Sequence, residues 1–102
     1  MPRPKIARQI CGRPANSCFK PNGRPMHQLE QVALAADEFE ALRLVDLEGM
    51  QQQEAAIVMG VSRQTLANIL KKARYKVVDC LSQGKALMMQ ASEPDTSGDI
   101  PL

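Results

Sequence analysis

The stretch EAAIVMGVSRQTLANIL, residues 54–70, ends one apolar helical pattern and starts another within four residues. Ala55 and Ala56 are small, Gly60 tolerates the left-handed backbone of a turn, and Ser62 is a favoured helix N-cap. The pattern therefore predicts two helices joined by a short turn, with small side chains where the helices approach each other.

The residues around this turn define the two helices. We expect the first from Gln52 to Met59 and the second from Ser62 to a stop at Gly84. Val61 is expected to fill the angle between them. At 100° per residue, the predicted buried face of the second helix is Ser62, Leu66, Ile69, Leu70, Ala73, Val77, Cys80 and Leu81. The predicted wet side carries Gln64, Asn68, Lys71 and Tyr75.

A further helix is expected upstream, from Glu38 to Glu48. Asp37 followed by Glu40 is typical of a capping pattern, and Gly49 supplies a stop. The apolar residues of this helix do not form one stripe, so we expect it to be covered on more than one side. The preceding HQLEQVAL fits either a helical turn or a strand. Short strands are possible around residues 7–11 and 17–20.

Charge is segregated along the chain. Residues 1–25 carry six bases and no acid, residues 26–60 carry seven acids and Arg43, and residues 61–90 carry six bases and Asp79. Clustered Lys and Arg are the electrostatic footprint of a polyanion binder, although a solvated charged face is the commoner meaning of such runs.

Length and composition limit the architecture and the compartment. A chain of 102 residues is one small domain. It has no apolar run near the roughly 20 residues that cross a bilayer, and its N-terminus lacks the apolar centre of a signal peptide. We expect a cytoplasmic protein without membrane contact, and its three cysteines are expected to be reduced thiols.

Two helices joined by a turn that contains glycine describe a helix-turn-helix, whose second helix enters the DNA major groove. Arg63, Gln64 and Asn68 have side chains that pair with base edges, while Lys71, Lys72 and Arg74 suit phosphates. The predicted DNA-contacting set is Gln52, Ser62, Arg63, Gln64, Thr65, Asn68, Lys71 and Lys72. A purely structural three-helix bundle would show the same period, but the spacing of small residues and the basic exposed side favour DNA binding.

The predicted fold class is mainly α, with a tri-helical helix-turn-helix core. Residues 1–26 are rich in proline and are expected to form an extended basic arm, residues 27–90 the DNA-binding domain, and residues 91–102 a disordered acidic tail. Arg3, Lys5 and Arg8 are candidate arm contacts to phosphates or the minor groove. The alternative is an arm that only wraps the surface of the first helix.

At these residues the sequence resembles a family of small, functionally uncharacterised prokaryotic proteins. The matching segments are MPRPK, IC, FKPNGRP, LEQVALAADEFEALRLVDLEGMQQQEAA, MGVSRQT and ARYKVVDCLSQGKAL, roughly the first 88 residues. The resemblance implies a DNA-binding helix-turn-helix like sigma-factor region four, preceded by a Pro-rich segment. Ile57 and Val58 depart from the family's usual polar residues, and we expect them to pack against the arm or a partner subunit.

Other chemistries have weaker support. Cys11, Cys18 and His27 do not match the compact spacing of zinc ligands, so we expect no metal and no cofactor. A single histidine and the lack of a coherent nucleophile or carboxylate pair argue against an enzyme.

Two questions about partners stay open. The serious alternative function is a protein-interaction adaptor whose acidic helix, residues 38–48, docks on the transcription machinery. Under the DNA-binding hypothesis, the partner is double-stranded DNA, and a homodimer is a further possibility because one recognition helix reads few bases.

Overall fold

The computed structural model describes residue 10 and residues 12–90. Its fold is mainly α with a small sheet. In chain order the elements are β1 (Cys18–Phe19), a 3₁₀ turn (Met26–Gln28), β2 (Gln31–Leu34), α1 (Ala36–Leu42) continued by a π-helical segment (Arg43–Leu47), α2 (Gln52–Met59), α3 (Arg63–Gln83) and β3 (Ala86–Met89).

The sheet has the order β1, β3, β2, so the last strand in sequence lies in the middle. β3 pairs antiparallel with β1, with Cys18 opposite Met88, and parallel with β2, with Leu34 opposite Met89. The strand expected around residues 17–20 is confirmed, and HQLEQVAL contains a 3₁₀ turn and then a strand. β3 was not predicted. The strand expected around residues 7–11 lies outside the described residues except for Ile10, which is in no strand.

Two aliphatic clusters hold the elements together. The first joins the three helices, and its buried residues are Ala41, Leu44, Ala55, Ala56, Met59, Leu66 and Leu70. The second joins α3 to the sheet through Leu34, Ala73, Cys80 and Leu87. Leu42 packs against both clusters. The helix that begins with α1 is therefore covered on two sides, by the other helices and by the sheet.

The start of α1 differs from the prediction. The N-cap is Ala35, and its backbone N–H donates to Oε1 of Glu38 at 2.8 Å. Asp37 is therefore the second residue of the helix and not its cap. The predicted range 38–48 was wrong at the start by two residues, since a glutamate at the third helical position can cap the helix without an Asp or Ser at the N-cap. Gly49 has a φ of 80°, as a helix stop requires.

Glu40 is fully buried, so this acid of the helix around residues 38–48 is not available to the partner that the adaptor hypothesis requires. Its Oε1 accepts the backbone N–H of Gly12 at 3.0 Å, and its two oxygens accept Nε and Nη2 of Arg43 at 3.0 and 2.9 Å. A Cβ on residue 12 would overlap Nε and Cδ of Arg43, so a larger residue would displace the guanidinium from Glu40. The carboxylate thus links the segment at residue 12 to α1.

α3 begins and ends where the sequence predicts. Ser62 is the N-cap and Gly84, with a φ of 70°, is the C-cap. Leu66, Leu70, Ala73 and Cys80 are buried as expected. Leu81 is not, because 80% of it is exposed, and Ser62 is also exposed. Leu81 lies about 60° from Leu66 around the helix, at the edge of the predicted core stripe, and that edge is uncovered at residue 81.

Two expectations concern segments beyond these elements. No helix within residues 12–90 is long and apolar enough to cross a bilayer. The predicted disordered tail, residues 91–102, lies outside the described residues.

Candidate nucleic-acid interface

The turn between α2 and α3 is built as the sequence predicts. Gly60 takes a left-handed backbone with a φ of 70°, and Val61 N–H donates to the carbonyl of Ala56 at 3.0 Å. Val61 is half-buried against the helical cluster. Ala56 is 3% exposed, so the two helices meet closely at that position.

Ser62 restarts the chain as a helix. Its Oγ accepts the backbone N–H of Thr65 at 3.1 Å and donates to Oγ1 of Thr65 at 2.9 Å. These bonds satisfy one of the open N–H groups at the helix start. Ser62 and Thr65 therefore orient the first turn of α3, and this local role also accounts for the presence of both residues.

Beyond the turn, α3 presents a polar face that we define as Arg63, Gln64, Asn68, Lys71 and Lys72. All five residues are exposed, as the sequence predicted. Gln64 Nε2 donates to Oδ1 of Asn68 at 3.2 Å, one helical turn further along. This bond holds the two amides side by side, while each keeps further donors and acceptors for another molecule.

The cations of the polar face differ in their ion pairing from Arg74, the next basic residue along α3. Within residues 12–90, no ion pair engages Arg63, Lys71 or Lys72. Arg74, predicted to suit a phosphate, instead donates Nη2 and Nε to the two carboxylate oxygens of Asp46 at 2.7 and 3.1 Å. This hydrogen bond raises the pKa of Arg74. Arg74 therefore holds α3 to the π-helical segment, and its guanidinium is already engaged within the chain.

The acids of the segment around α1 are similarly engaged. Glu38 pairs with Lys76 at 2.7 Å, and Glu48 lies 3.5 Å from Arg43. Together with Glu40 and Asp46, four acids of this segment thus have cationic partners within the chain. Their charge is neutralised locally, and the polar face of α3 keeps its own positive charge.

The remaining candidates are more scattered. Gln52 is half-buried at the first position of α2, on a different helix from the other predicted contacts. The arm candidates Arg3, Lys5 and Arg8 lie outside the described residues. So does Cys11, while Cys18 is a half-buried free thiol in β1 and His27 is exposed in the 3₁₀ turn. Residues 12–90 contain no group of three His, Cys, Asp or Glu side chains that could hold a metal ion.

Ile57 and Val58 are exposed on α2, at 74% and 38%. The described part of the arm does not cover them. The other half of that hypothesis, contact with a partner subunit, stays a prediction.

The sequence comparisons group the chain with proteins that carry the name UPF0251 protein. One from Aeromonas salmonicida is 98% identical over the full length of both chains. One from Vibrio parahaemolyticus is 60% identical over 91% of this chain and 97% of its own. One from Moorella thermoacetica is 48% identical over 88% of this chain and 60% of its own.

The chain belongs to the family described as Protein of unknown function DUF134, which it matches over residues 1–97. The resemblance to an uncharacterised family is thereby confirmed. No solved structure matches the chain.

Proposed function

We propose that this protein binds double-stranded DNA sequence-specifically, with α2, the turn at residues 60–62 and α3 acting as a helix-turn-helix, and that it regulates transcription. The observation that carries the proposal is the polar face of α3. It starts at a sharp glycine turn, it is exposed, and within residues 12–90 its cations have no acidic partner. A recognition helix needs these properties at its N-terminal half.

The side chains nearest the turn have the chemistry of base readout. Arg63 suits the O6 and N7 acceptors of guanine, and Gln64 or Asn68 suits the N6 donor and N7 acceptor of adenine. The bond between Gln64 and Asn68 uses one N–H of Gln64 and leaves its carbonyl oxygen and second N–H for a base. We assign these three residues to base edges.

Lys71, Lys72 and Gln52 are assigned to phosphates. Lysine contacts phosphate as a point charge and carries little sequence information. At α2, Glu54 already accepts the N–H of Gln51 at 3.0 Å and brings a negative charge to the helix start. We therefore assign the phosphate contact there to the Gln52 side chain and not to the bare helix N-terminus.

The adaptor hypothesis has less support from this geometry. A basic partner would need free acids on the helix around residues 38–48, but Glu38 and Glu40 are buried and the exposed Asp46 is paired with Arg74. Docking there would require breaking ion pairs that hold α1 to α3. DNA binding uses a surface that requires no such rearrangement.

Selection of bound fragments from random duplex DNA, followed by fluorescence anisotropy on the selected duplex, tests the proposal. We expect Lys71→Ala to weaken binding at all sequences and to lower the slope of log K against log salt by about 1. Gln83→Ala is the control, because it changes an exposed side chain at the other end of α3 and should change neither quantity. Equal effects of both variants, or no duplex binding at low salt, would refute the assignment.

Arg63→Ala tests base readout separately from phosphate contact. We expect it to relax the preference at one base pair of the selected site, at a cost of about 1–3 kcal/mol for that base. The measurement is the affinity for the selected duplex and for its three substitutions at each position. An even loss of affinity at every position would reassign Arg63 to the phosphate backbone.

A further inference from the structure

A second surface of α3 is apolar. We define the apolar face as Phe19, Leu47, Val78 and Leu81, which are 49%, 76%, 57% and 80% exposed. They come from β1, the π-helical segment and the C-terminal half of α3. Val77 and Leu87 line the grooves that connect Phe19 with Leu81 on one side and with Leu47 on the other. Phe19, Leu47 and Leu81 thus border one continuous surface, and Val78 lies one helical turn before Leu81 on α3.

Two of the cations at the edge of the apolar face are paired with acids. Arg74 is bonded to Asp46 near Leu47. Lys85 lines the groove beside Leu81, pairs with Asp79 at 2.8 Å and lies 3.6 Å from Glu30. The hydrogen bond that Lys85 donates to Asp79 raises the pKa of Lys85. Lys20 lines the same groove and is in no ion pair within residues 12–90, so the pairing reduces the charge that would repel an identical face without abolishing it.

We propose that the apolar face binds the same face of a second copy of this chain, giving a symmetric dimer in which the two α3 helices run antiparallel. In a two-fold symmetric interface, the same surface of each copy contacts its counterpart on the other copy. The apolar centres then meet, and the ion-paired residues at the edges face each other. Four large side chains at about half exposure or more provide several hundred Å² of apolar surface. That is a large share of the about 800 Å² per partner that a standard interface buries.

The position of the face along α3 gives a geometric check, and this step rests on the proposed DNA binding. The face is centred near residue 80 and the polar face near residue 68. About 12 residues at 1.5 Å per residue place them roughly 18 Å apart along the helix. A two-fold axis near residue 80 then separates the two polar faces by roughly 36 Å along the helix direction, far enough for each to contact DNA separately.

The orientation of the two faces also fits. On a helical wheel, Val78 and Leu81 are rotated by roughly 80° from the mean direction of Gln64, Asn68 and Lys71. In a dimer bound to DNA, the polar faces must point along the two-fold axis, toward the duplex. The apolar faces must point across that axis, toward the partner, so the two directions differ by about a right angle. Gln64, Asn68 and Lys71 meet this requirement on an ideal helix, whereas Arg63 points in the same direction as Leu81.

Leu81→Glu in the full-length protein tests the dimer. Light scattering coupled to size-exclusion chromatography, together with sedimentation at several concentrations, is expected to show a dimer for the wild type. We expect Leu81→Glu to weaken dimerisation at least about 100-fold, because each copy would bury an unpaired carboxylate. Since Leu81 is 80% exposed, the melting temperature of the folded monomer should stay close to that of the wild type.

Ile57→Glu is the matched control, since Ile57 is equally exposed but lies on α2. We expect this variant to stay dimeric. A wild type that is monomeric at all concentrations overturns the proposal. So does dissociation by Ile57→Glu with Leu81→Glu still dimeric, which would move the interface to α2. A monomer that dimerises once residues 91–102 are removed overturns it too, because the tail would then be the occupant.

The dimer and the DNA-binding proposal fail in distinguishable ways. A dimer that shows no duplex binding refutes the proposed function and leaves the interface standing. Duplex binding by a monomer that Leu81→Glu does not alter refutes the interface and leaves the function standing. If both hold, the selected DNA should contain inverted half-sites about 10–10.5 base pairs apart, and Leu81→Glu should lose the preference for that spacing.

Discussion

Glu40 shows how much one side chain contributes to this small fold. It lies inside the molecule with no exposure, and it accepts hydrogen bonds from Gly12 and from Arg43. A buried carboxylate is tolerated only when its oxygens are paired in this way. The contact joins a segment that has no regular structure at residue 12 to the helix that lies between the two hydrophobic clusters.

Replacement of this carboxylate gives a prediction at the residue scale. We expect Glu40→Gln to lower the free energy of unfolding by about 3 kcal/mol, because it removes the buried charge that pairs with Arg43 and puts an amide NH2 donor against the Nη2 donor of Arg43. Glu48→Gln is the control, since Glu48 contacts the same Arg43 from an exposed position and should cost no more than about 1 kcal/mol. The measurement is urea unfolding followed by circular dichroism. Equal losses in the two variants would contradict the special role of burial.

Sequence reasoning missed Glu40 because the signal is not local. Its neighbours form a first helical turn rich in acids, which is common on exposed helices. Burial depends on Gly12, which lies 28 residues earlier in the chain, and no periodicity connects the two. By contrast, Gly60 and Ser62 were identified correctly because a left-handed turn and an N-cap each require a particular residue type at one position.

At the scale of elements, α2 and α3 follow from sequence, and β3 does not. The helices combine caps, a glycine stop and a 3.6-residue period, all of which are encoded within the helix itself. β3 reads ALMM, which has neither the alternation nor the β-branched residues of a typical strand. It is a strand because β1 and β2 provide hydrogen-bonding partners on both sides, which a local pattern cannot reveal.

The N-cap of α3 gives a prediction at this scale. We expect Ser62→Ala to lower the free energy of unfolding by about 1 kcal/mol, because the N–H of Thr65 loses its acceptor. Ser82→Ala makes the same change near the other end of α3, at an exposed position, and should stay within about 0.5 kcal/mol of the wild type. Thermal and urea unfolding of both variants provide the comparison. A cost for Ser82→Ala as large as that for Ser62→Ala would contradict the capping role.

The predicted faces of α3 were correct over most of its length, and the exception is informative. The period places Leu81 with the buried residues, at the edge of the stripe, but the side chain is 80% exposed. The helical period predicts the direction in which a side chain points around the helix axis. It does not predict whether a neighbouring element covers the helix at that residue. The period correctly predicted that Gln64, Asn68 and Lys71 are exposed. Their contact with DNA stays a prediction.

At the scale of the whole molecule, the chain closes on itself through the sheet. Residues 18–19 and 31–34 are held together by a strand that begins at residue 86. The second hydrophobic cluster needs Leu87 as well as Leu34. The packing of the N-terminal segments therefore depends on the C-terminal end of the described chain.

Truncation tests this dependence. We expect a chain that ends at residue 85 to lose its cooperative thermal transition, because β1 and β2 lose their shared partner and Leu34 loses its cover. A chain that ends at residue 90 keeps every described element and should melt within a few degrees of the full-length protein. Differential scanning calorimetry measures both. A cooperative transition of normal enthalpy in the shorter chain would show that the helices alone form a stable core.

The central position of β3 has a consequence for synthesis in the cell. Translation proceeds from the N-terminus, so β1 and β2 leave the ribosome while the strand that belongs between them has not yet been made. For most of its time as a nascent chain the molecule exposes two unpaired strand edges, and such edges are the usual starting points for aggregation. Completion of this fold therefore waits for nearly the last residues of the described chain.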